Sequence, residues 1–214
     1  LAQSYGHFEL VISDNASTDA TEAICRDFAA KDARITYIRN AVNIGAAGNY
    51  NQLFRLTSCE YFRWFNADDL SSPNLHEQCL SALLAHPGAS MACGQTVIID
   101  GRGAVTRHLQ ESLNLQQVSV AERFFAFFRV VGQTNAIYGL MRRSALAKTA
   151  LLGAGTYPAA DTNLMAELAL QGTIVELPEP LFYRRMHERA SSWNRSSDAV
   201  QQRFWTGRDA RFVM

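Results

Sequence analysis

Two adjacent carboxylates, Asp68 and Asp69, end a short aromatic run whose composition is typical of a buried strand. Carboxylates at the mouth of a buried strand are costly unless a positive group lies beside them. A hard divalent cation that also binds substrate phosphates would supply that charge. The same residues could instead form an Asp-rich turn in which one of them caps the helix that Pro73 opens. Taken alone, the stretch leaves a metal site and a helix cap equally open.

Polar residues cluster where the predicted strands end. The clusters cover residues 13–19, 40–51 and 66–69. Ligands of open parallel α/β sheets bind outside the carboxyl ends of the strands, so these clusters are candidate ligand contacts. Asp14 could accept a hydrogen bond from a base N–H or a ribose hydroxyl, or could belong to a loop in which Asp19 caps the next helix. Gly45 to Gly48 begin a predicted helix, where backbone N–H groups can face an anion.

The elements that must position these residues alternate between strand and helix over the first hundred residues. Strands are predicted at residues 8–12, 35–38, 61–65 and 90–99, and helices up to residue 31, at 46–56 and at 73–86. This alternation is typical of an α/β fold with a mostly parallel sheet and helices on both faces. Asp19 and Glu22 resemble a capping box for the first helix, and Ala23, Ile24 and Phe28 give it one apolar face.

The second half of the chain has a less regular pattern. Residues 102–117 are predicted to be a polar, mobile excursion, and residues 134–141 a strand. The helix predicted over residues 120–131 contains four phenylalanines, which favours a buried helix over an apolar lip for a lipid-linked acceptor. Further helices are predicted at 143–151, at 161–171 and after residue 193, and short strands at 173–177 and 181–185.

Composition excludes several classes of protein. The chain has 214 residues, of which 48% are hydrophobic and 19% charged, and this indicates a folded core rather than disorder. Its formal net charge is zero, so we expect no nucleic-acid partner. Cys25, Cys59, Cys79 and Cys93 show no C-x-x-C spacing and are interpreted as free thiols in a reducing compartment. No apolar run reaches the roughly 18 residues of a membrane-spanning helix, and the sequence begins at Leu1 without a signal-peptide pattern.

Five stretches, in the expected order, resemble family 2 glycosyltransferases, the inverting enzymes of the GT-A fold. They read VISDNASTDAT, RNAVNIGAAGNYNQLF, EYFRWFNADDLSSPNL, TYPAADTNLMAELALQG and PEPLFYRRMHERASS. The first three resemble the family's strand-end signature, its N-x-G turn with the following helix, and its D-x-D region. The last two resemble the acceptor-side segment that holds a general base and the closing strand with its His. Five motifs in order are far more specific than any one of them.

The resemblance implies a single GT-A domain with a Rossmann-like, mostly parallel sheet flanked by helices and an irregular acceptor-side second half. Residues 1–100 would form the nucleotide-sugar-binding half, residues 101–192 the acceptor-binding half and residues 193–214 a helical tail. The family's first strand, which usually carries a nucleotide-binding turn, has no counterpart ahead of Leu1.

The resemblance also implies roles for individual residues. Asp68 would hold Mg²⁺ or Mn²⁺, with Asp69 and His187 as further ligands, and the metal would neutralise charge on the departing diphosphate. Asp161 would take the proton from the acceptor hydroxyl as general base, and its alternative role is to cap the helix that it begins. Nucleotide contacts are implied for Asp14, Asn15, Ser17, Asn43, Gly45, Asn49 and Asn66.

The sequence departs from the family pattern at two of these motifs. Asn66 stands in place of the first acid of D-x-D, and Ala160 precedes Asp161 where the family often has Glu. His187 could equally be an ordinary surface residue rather than a metal or diphosphate contact. Further candidates for phosphate contact are Arg184, Arg185 and Arg189.

The implied function is metal-dependent, inverting transfer of a sugar from a nucleotide-diphospho-sugar to an acceptor hydroxyl, in bacterial polysaccharide or glycolipid synthesis. The donor would be linked to UDP, dTDP or GDP, and the acceptor would be a glycan or lipid-linked. The expected location is the cytoplasm or the inner face of the membrane. Peripheral membrane association and a homodimer, with Phe204, Trp205 and Phe212 at its face, are left open. A non-catalytic nucleotide-binding relative and a nucleotidyltransferase are the alternatives.

Overall fold

A computed structural model describes residues 1–109, 112–130, 132, 135–153 and 159–187 of the chain. The predicted C-terminal helix with Phe204, Trp205 and Phe212 lies outside these residues, as does Arg189. Within the described ranges the strands are β1 (Leu10–Asp14), β2 (Ile35–Arg39), β3 (Tyr61–Phe62), β4 (Leu70–Ser71), β5 (Ala89–Ile99), β6 (Val105–His108), β7 (Leu140–Arg142) and β8 (Thr173–Arg185). The helices there are α1 (Thr21–Lys31), α2 (Gly45–Leu56), α3 (Leu75–Ala85), α4 (Val120–Val130), α5 (Arg143–Leu146) and α6 (Ala160–Gln171), and a 3₁₀ turn covers Asn135–Tyr138.

The described residues divide into two compact units that are discontinuous in sequence. The first, called the β1–β2 unit, contains residues 6–58, 152–153 and 159–160. The second, called the large-sheet unit, contains residues 1–5 and 161–187 together with the described residues between 59 and 151.

The β1–β2 unit is built on two parallel strands. Leu10 lies opposite Ile35, and the register continues to Asp14 opposite Arg39. Because the strands are parallel, their carboxyl ends and the polar residues that follow them meet at one edge, as the sequence predicts. Strand β1 begins two residues later than predicted, and helix α2 buries Phe54 in this unit.

Helix α1 does not bury the apolar face that the sequence predicts. Ile24 is 54% and Phe28 is 48% exposed, and no residue of the helix is fully buried. The half-buried side of the helix is formed by smaller side chains, Cys25 and Ala29. The capping-box interpretation is also wrong in detail, because Glu22 pairs with Arg26 and Arg39 instead of reaching back to the helix start.

The large-sheet unit is built on a six-stranded mixed sheet in the order β3-β7-β5-β8-β4, with β6 beside β5. The central ladder between β5 and β8 is parallel, whereas the short strands β3, β4, β6 and β7 pair antiparallel with their neighbours. The α/β class is therefore confirmed. The predicted parallel pairing holds for the two longest ladders, β1–β2 and β5–β8, and not for the short strands.

Strand β8 is one strand of 13 residues where the sequence predicts two strands around Pro178 and Pro180. The register between β5 and β8 shifts between Gly94 and Thr96, and such an irregularity tolerates prolines that cannot donate to a ladder. A Cβ added to Gly94 would lie 2.5 Å from the Cγ of Leu181, so the close approach of the two strands requires glycine there. The continuous strand ends at Arg185, two residues before His187.

Two further predictions for the second half need correction. The excursion predicted over residues 102–117 contains β6, which forms a hairpin with β5, and its Leu113 and Leu115 are buried. Helix α4 is buried on one face only, because Phe127 is covered while Phe125 and Phe128 are 62% and 51% exposed.

The core of the large-sheet unit lies between its sheet and its helices. Leu75, Cys79 and Leu83 of α3 pack with Val175 and Leu181 of β8. The prediction of free thiols is confirmed, since all four cysteines are unbridged. Within the described residues, no helix combines the length and the hydropathy that crossing a bilayer requires.

Candidate active site

The acidic loop, residues 66–69, is held between a buried aromatic anchor and the end of β8. Trp64 is 1% exposed and packs edge-on against Phe62 at a centroid distance of 4.9 Å. Directly after the loop, Leu70 and Ser71 pair with Tyr183 and Phe182 of β8. The loop is therefore fixed at both ends beside the last residues of β8.

Asp69 is buried and bonded inside the protein. Its Oδ1 accepts the main-chain N–H of Arg185 at 2.8 Å, and its Oδ2 accepts the Nδ2–H of Asn66 at 3.2 Å. Burial raises the pKa of the Asp69 carboxyl, the N–H of Arg185 opposes that rise, and the neighbouring charge of Asp68 adds to it. A cation near this loop would favour the ionised form of Asp69.

Asp68 lies at the surface and meets the predicted histidine. The Nε2 of His187 is 3.3 Å from Oδ2 of Asp68, and the two side chains are 31% and 45% exposed. A carboxylate and an imidazole, with phosphate and water oxygens in the remaining positions, form a donor set that suits Mn²⁺ and is acceptable to Mg²⁺. Among the described residues, no three His, Cys, Asp or Glu side chains already form a metal cluster. The described residues thus offer two exposed candidate ligands, Asp68 and His187, while the oxygens of Asp69 are engaged in internal hydrogen bonds.

Asn66 joins the acidic loop to a residue that the sequence did not indicate. Its Nδ2 donates to Oη of Tyr138 at 2.7 Å as well as to Asp69. The ring of Tyr138 stacks on Phe182 of β8 at a centroid distance of 4.8 Å. Tyr138 lies in a segment predicted as a plain strand, and a single tyrosine there gave no signal of a contact with Asn66.

Asp14, the predicted base contact, is a buried carboxylate in the β1–β2 unit. Its Oδ1 accepts the N–H of Ser17 at 2.8 Å, and its Oδ2 accepts the hydroxyl of Tyr37 at 2.7 Å and lies 3.5 Å from Nε of Arg39. Burial alone would raise the pKa of Asp14, but these partners outweigh it and hold the pKa below its ordinary value. Burial and the Asp14 charge raise the pKa of Tyr37 to about 12. In this conformation Asp14 fixes the loop that begins at Asn15.

The other predicted nucleotide contacts of the β1–β2 unit form one amide network. Asn15 accepts the N–H of Ile44 at 2.9 Å and donates to Asn43 at 2.8 Å, and Asn43 accepts the N–H of Gly45 at 2.8 Å. Asn49 reaches back to β1, where it donates to the carbonyl of Ser13 at 3.0 Å. The structure brings these predicted residues together and shows that they brace the strand ends and the start of α2.

Two residues of this network were not predicted as site residues. Asn40 donates to Asn15 at 3.2 Å and to Asn49 at 3.0 Å, and Gln52 donates to Asn40 at 2.8 Å. Asn40 lies inside the polar stretch 40–51 and Gln52 directly follows it. The high density of amide side chains in this stretch is the sequence signal from which both residues could have been predicted.

Asp161 stands in the first turn of α6 and is half-buried. Its Oδ1 accepts the N–H of the next residue, Thr162, at 2.8 Å. Asp161 is the second residue of α6 and so stands inside the helix rather than at its N-cap position, and its contact with Thr162 leaves the acid-base interpretation open. The carboxylate lies in the first turn, at the positive end of the helix dipole.

The comparison of sequences shows to which class of proteins this mixed α/β fold, with its acidic loop beside the end of β8, belongs. The family described as Glycosyl transferase family 2 matches residues 1–149. The chain belongs to that family.

Relatives with longer chains share parts of the sequence. The "Putative colanic acid biosynthesis glycosyl transferase WcaA" of Escherichia coli K12 is 38% identical over 86 residues, which are 40% of this chain and 29% of the relative. An Escherichia coli protein named "UDP-Glc:alpha-D-GlcNAc-diphosphoundecaprenol beta-1,3-glucosyltransferase WfaP" is 36% identical over 69 residues, or 32% of this chain and 27% of its own. The matched part is thus about a third or less of each relative.

Solved structures share the fold. The structure of S. aureus TarS 1-349 in complex with UDP superimposes with a TM-score of 0.66 at 15% sequence identity, covering 86% of this chain and 54% of that one. The complex of the same protein with UDP-GlcNAc gives a TM-score of 0.66 at 16% identity and covers 94% and 56%. These similarities confirm the GT-A type of fold, and the family match over residues 1–149 confirms the resemblance read from the sequence.

Proposed function

We propose that the protein transfers a sugar from a nucleotide-diphospho-sugar to an acceptor hydroxyl by a metal-dependent, inverting reaction. The observation that supports this best is the exposed pair of Asp68 and His187, held beside the buried Asp69 in a chain of glycosyl transferase family 2. The carboxylate and the imidazole lie together at the surface, where a cation and the phosphates of a donor could reach both side chains.

In this proposal Asp68 and His187 hold Mg²⁺ or Mn²⁺, and Asp69 supports them from behind through its bonds to Asn66 and Arg185. The cation, when bound, neutralises charge on the departing diphosphate. The chain's own contribution is to present Asp68 on a loop that is anchored at both ends and His187 just after β8, which limits the reorganisation needed on binding.

Asp161 is the proposed general base. Its carboxylate would accept the proton of the acceptor hydroxyl as that oxygen attacks the anomeric carbon, while the bond from that carbon to the diphosphate breaks. Direct displacement of this kind inverts the configuration at the anomeric carbon. Helix α6 packs Leu164 and Leu168 into the core, so the helix is well buried. Asp161 lies at the start of this helix and is therefore held on a rigid element.

The donor side is proposed for the polar strand ends of the β1–β2 unit. Asp14, Asn15, Ser17, Asn43, Gly45 and Asn49 stay predicted nucleotide contacts, together with Asn66 of the acidic loop. The hydrogen bonds among these residues fix their side chains before any ligand binds. Because the surface is preformed, we expect the nucleotide to be bound by backbone groups as much as by side chains.

A UDP-sugar is the first donor to test. TarS binds UDP and UDP-GlcNAc, and WfaP is named for UDP-Glc, whereas dTDP- and GDP-sugars remain further candidates. The name of WfaP specifies a diphosphoundecaprenol-linked acceptor, and that of WcaA specifies colanic acid synthesis. We therefore propose a glycan or lipid-linked acceptor in cell-envelope synthesis, with the reaction at the cytoplasmic side of the membrane.

The test uses the intact protein with Asp68→Asn, Asp161→Asn and, as a control, Asp27→Asn on the exposed side of α1. UDP binding with Mn²⁺ is measured by calorimetry, and UDP release from a panel of UDP-sugars is measured with and without acceptor. We expect Asp68→Asn to lose Mn²⁺-dependent UDP binding and turnover. We expect Asp161→Asn to bind UDP normally and to turn over at least about 100-fold more slowly. Unchanged turnover in both variants would contradict the proposal.

A non-catalytic nucleotide-binding relative is the second candidate. It is favoured by the burial of the Asp14 carboxylate and by Asn66 in place of an acid. The same experiment separates the two, because this candidate predicts UDP binding by the unmodified protein with no turnover of any UDP-sugar in the panel.

A further inference from the structure

Arg185 makes an unusual set of contacts at the end of β8. Its main-chain N–H donates to Asp69, while its side-chain Nε donates to the carbonyl of Asp68 at 2.8 Å. Its Nη1 donates to the carbonyls of Asp100 at 3.1 Å and Gly101 at 3.3 Å. A single residue therefore binds the acidic loop twice and the connection between β5 and β6 twice.

The connection between β5 and β6, residues 100–103, is itself a tight turn. The Oδ1 of Asp100 accepts the N–H groups of Arg102 at 2.8 Å and Ala104 at 2.9 Å. Gly103 has φ of +88°, a conformation that side chains rarely adopt, and a Cβ there would lie 3.9 Å from Nη1 of Arg185. The guanidinium thus rests on a turn whose shape is fixed by its own hydrogen bonds.

The register of the sheet explains why Arg185 reaches both segments. Arg185 lies opposite Ile99, the last residue of β5, in the parallel β5–β8 ladder. The preceding residue, Arg184, projects to another partner and donates to Oδ1 of Asn135 at 2.7 Å. Successive strand residues point to opposite faces, so only Arg185 can join the acidic loop to the turn.

We propose that Arg185 is a positioning residue that couples the turn 100–103 to the acidic loop and so holds Asp68 within reach of His187. The charged guanidinium donates to main-chain carbonyls of both segments, and its planar fork can span the two. This role differs from the phosphate contact expected for Arg185 from the sequence. It rests on the proposed function only in treating Asp68 and His187 as ligands of the donor's cation.

The first test measures hydrogen exchange of backbone amides by mass spectrometry in the intact, metal-free protein. Arg185→Met removes the fork and keeps the length of the side chain, and Arg185→Lys keeps the charge. Arg107→Met is the matched control, because Arg107 is exposed on the neighbouring β6. We expect exchange about 10-fold faster in peptides covering both 66–71 and 100–104 for Arg185→Met, and a smaller change for Arg185→Lys.

The outcomes of this test are distinct. Faster exchange in both segments, with Arg107→Met like the parent, supports the coupling. Faster exchange in the turn alone, or in neither segment, overturns it. If Arg185→Met unfolds, the same criteria are applied to Arg185→Lys, because a single ammonium group cannot span the two segments as the guanidinium fork does.

A second test measures Mn²⁺ affinity by electron paramagnetic resonance. Loss of a residue that orients metal ligands typically weakens metal binding 10–100-fold, so we expect at least about a 10-fold higher Kd for Arg185→Met and an unchanged Kd for Arg107→Met. Equal Mn²⁺ affinity in Arg185→Met and the parent overturns the positioning role. Failure of the parent to bind Mn²⁺ contradicts the proposed metal site instead, and the coupling is then decided by hydrogen exchange.

Discussion

At position 66, an amide nitrogen in place of a carboxylate oxygen changes both the charge and the hydrogen bonding of the acidic loop. An amide can donate to the buried carboxylate of Asp69 and to the hydroxyl of Tyr138, as it does here. An Asp at this position would place a second negative charge about 3 Å from Asp69 and would donate nothing. The departure from the D-x-D pattern is therefore a compatible solution for a loop in which Asp69 is buried.

We predict that Asn66→Asp is less stable than Asn66→Ala. The alanine variant loses two hydrogen bonds, about 1–2 kcal/mol, whereas the aspartate variant adds like-charge repulsion and should lose about 2–4 kcal/mol. Urea unfolding at pH 7 with EDTA present measures both values. If Asn66→Asp equals or exceeds Asn66→Ala in stability, the account of this loop is wrong.

The residues of the site were predicted unevenly from sequence, and the reason is physical. Asp68 and His187 were predicted as partners and are in contact, because their motifs carry the chemistry in their own side chains. Arg185 and Tyr138 act through contacts made across the fold, more than 70 residues along the chain from their partners. Nothing in the local pattern around either residue specifies such a partner.

At the scale of elements, periodicity predicted the alternating first half well. Helices α2 and α3 and strands β2 and β5 lie within a residue or two of their predicted bounds. Packing decided the rest. Strand β8 runs through Pro178 and Pro180 because the register with β5 slips beside them, and a local reading of prolines cannot anticipate that partner.

The junction between α6 and β8 gives a test at this scale. A Cβ added to Gly172 would lie 2.5 Å from the carbonyl oxygen of Gly88 and 2.7 Å from the nitrogen of Ser90. Main-chain atoms cannot rotate away as a side chain can, so we predict that Gly172→Ala costs about 2–4 kcal/mol of unfolding free energy.

Gly88→Ala is the matched control for this junction. A Cβ at Gly88 meets nothing within 4 Å, and we expect a change within about 0.5 kcal/mol. Both variants are compared by urea unfolding. Similar stabilities for the two alanine variants would mean that the close approach at Gly172 is not a constraint.

At the scale of the whole molecule, one half-buried histidine makes stability depend on pH. The chain carries 20 basic residues, 20 acidic residues and five histidines, and the histidines are the side chains whose ordinary pKa lies between pH 7 and pH 5. Burial, with the nearby Arg63 charge, lowers the pKa of His76 to about 4, against a reference value of 6.5. The unfolded chain therefore takes up a proton at His76 in this interval and the folded chain does not.

We predict that unfolding free energy falls as the pH is lowered from 7 to 5. The folded-state pKa is depressed, so the stability contributed by neutral His76 is full above pH 6.5 and is lost toward pH 4, with about 1–2 kcal/mol lost by pH 5. Urea unfolding at several pH values measures the slope. His76→Gln should flatten it, and the exposed control His108→Gln should not. A slope that survives in His76→Gln would assign the effect to other groups.

The two compact units do not follow the boundary between donor and acceptor halves that the sequence predicts. The predicted boundary at residue 100 separates donor and acceptor roles by sequence, and it stays a prediction. The compact units instead gather discontinuous segments, because residues 152–153 and 159–160 join the unit built around residues 6–58. Contacts such as the bond from the amide N–H of Leu152 to Asn51, at 3.1 Å, link distant parts of the chain, and composition or periodicity cannot reveal them.

The dual attachment of Arg185 has a consequence for how this site could be lost over evolutionary time. The hydrogen bond from Arg185 to Asp69 comes from the main-chain N–H, so any amino acid except proline preserves it. The hydrogen bonds from Arg185 to the turn, in contrast, come from its guanidinium. Substitutions of Arg185 that accumulate by genetic drift would first loosen the exposed Asp68 and would leave the buried carboxylate of Asp69 in place. A lineage could therefore pass through weakened, still folded forms before it became inert.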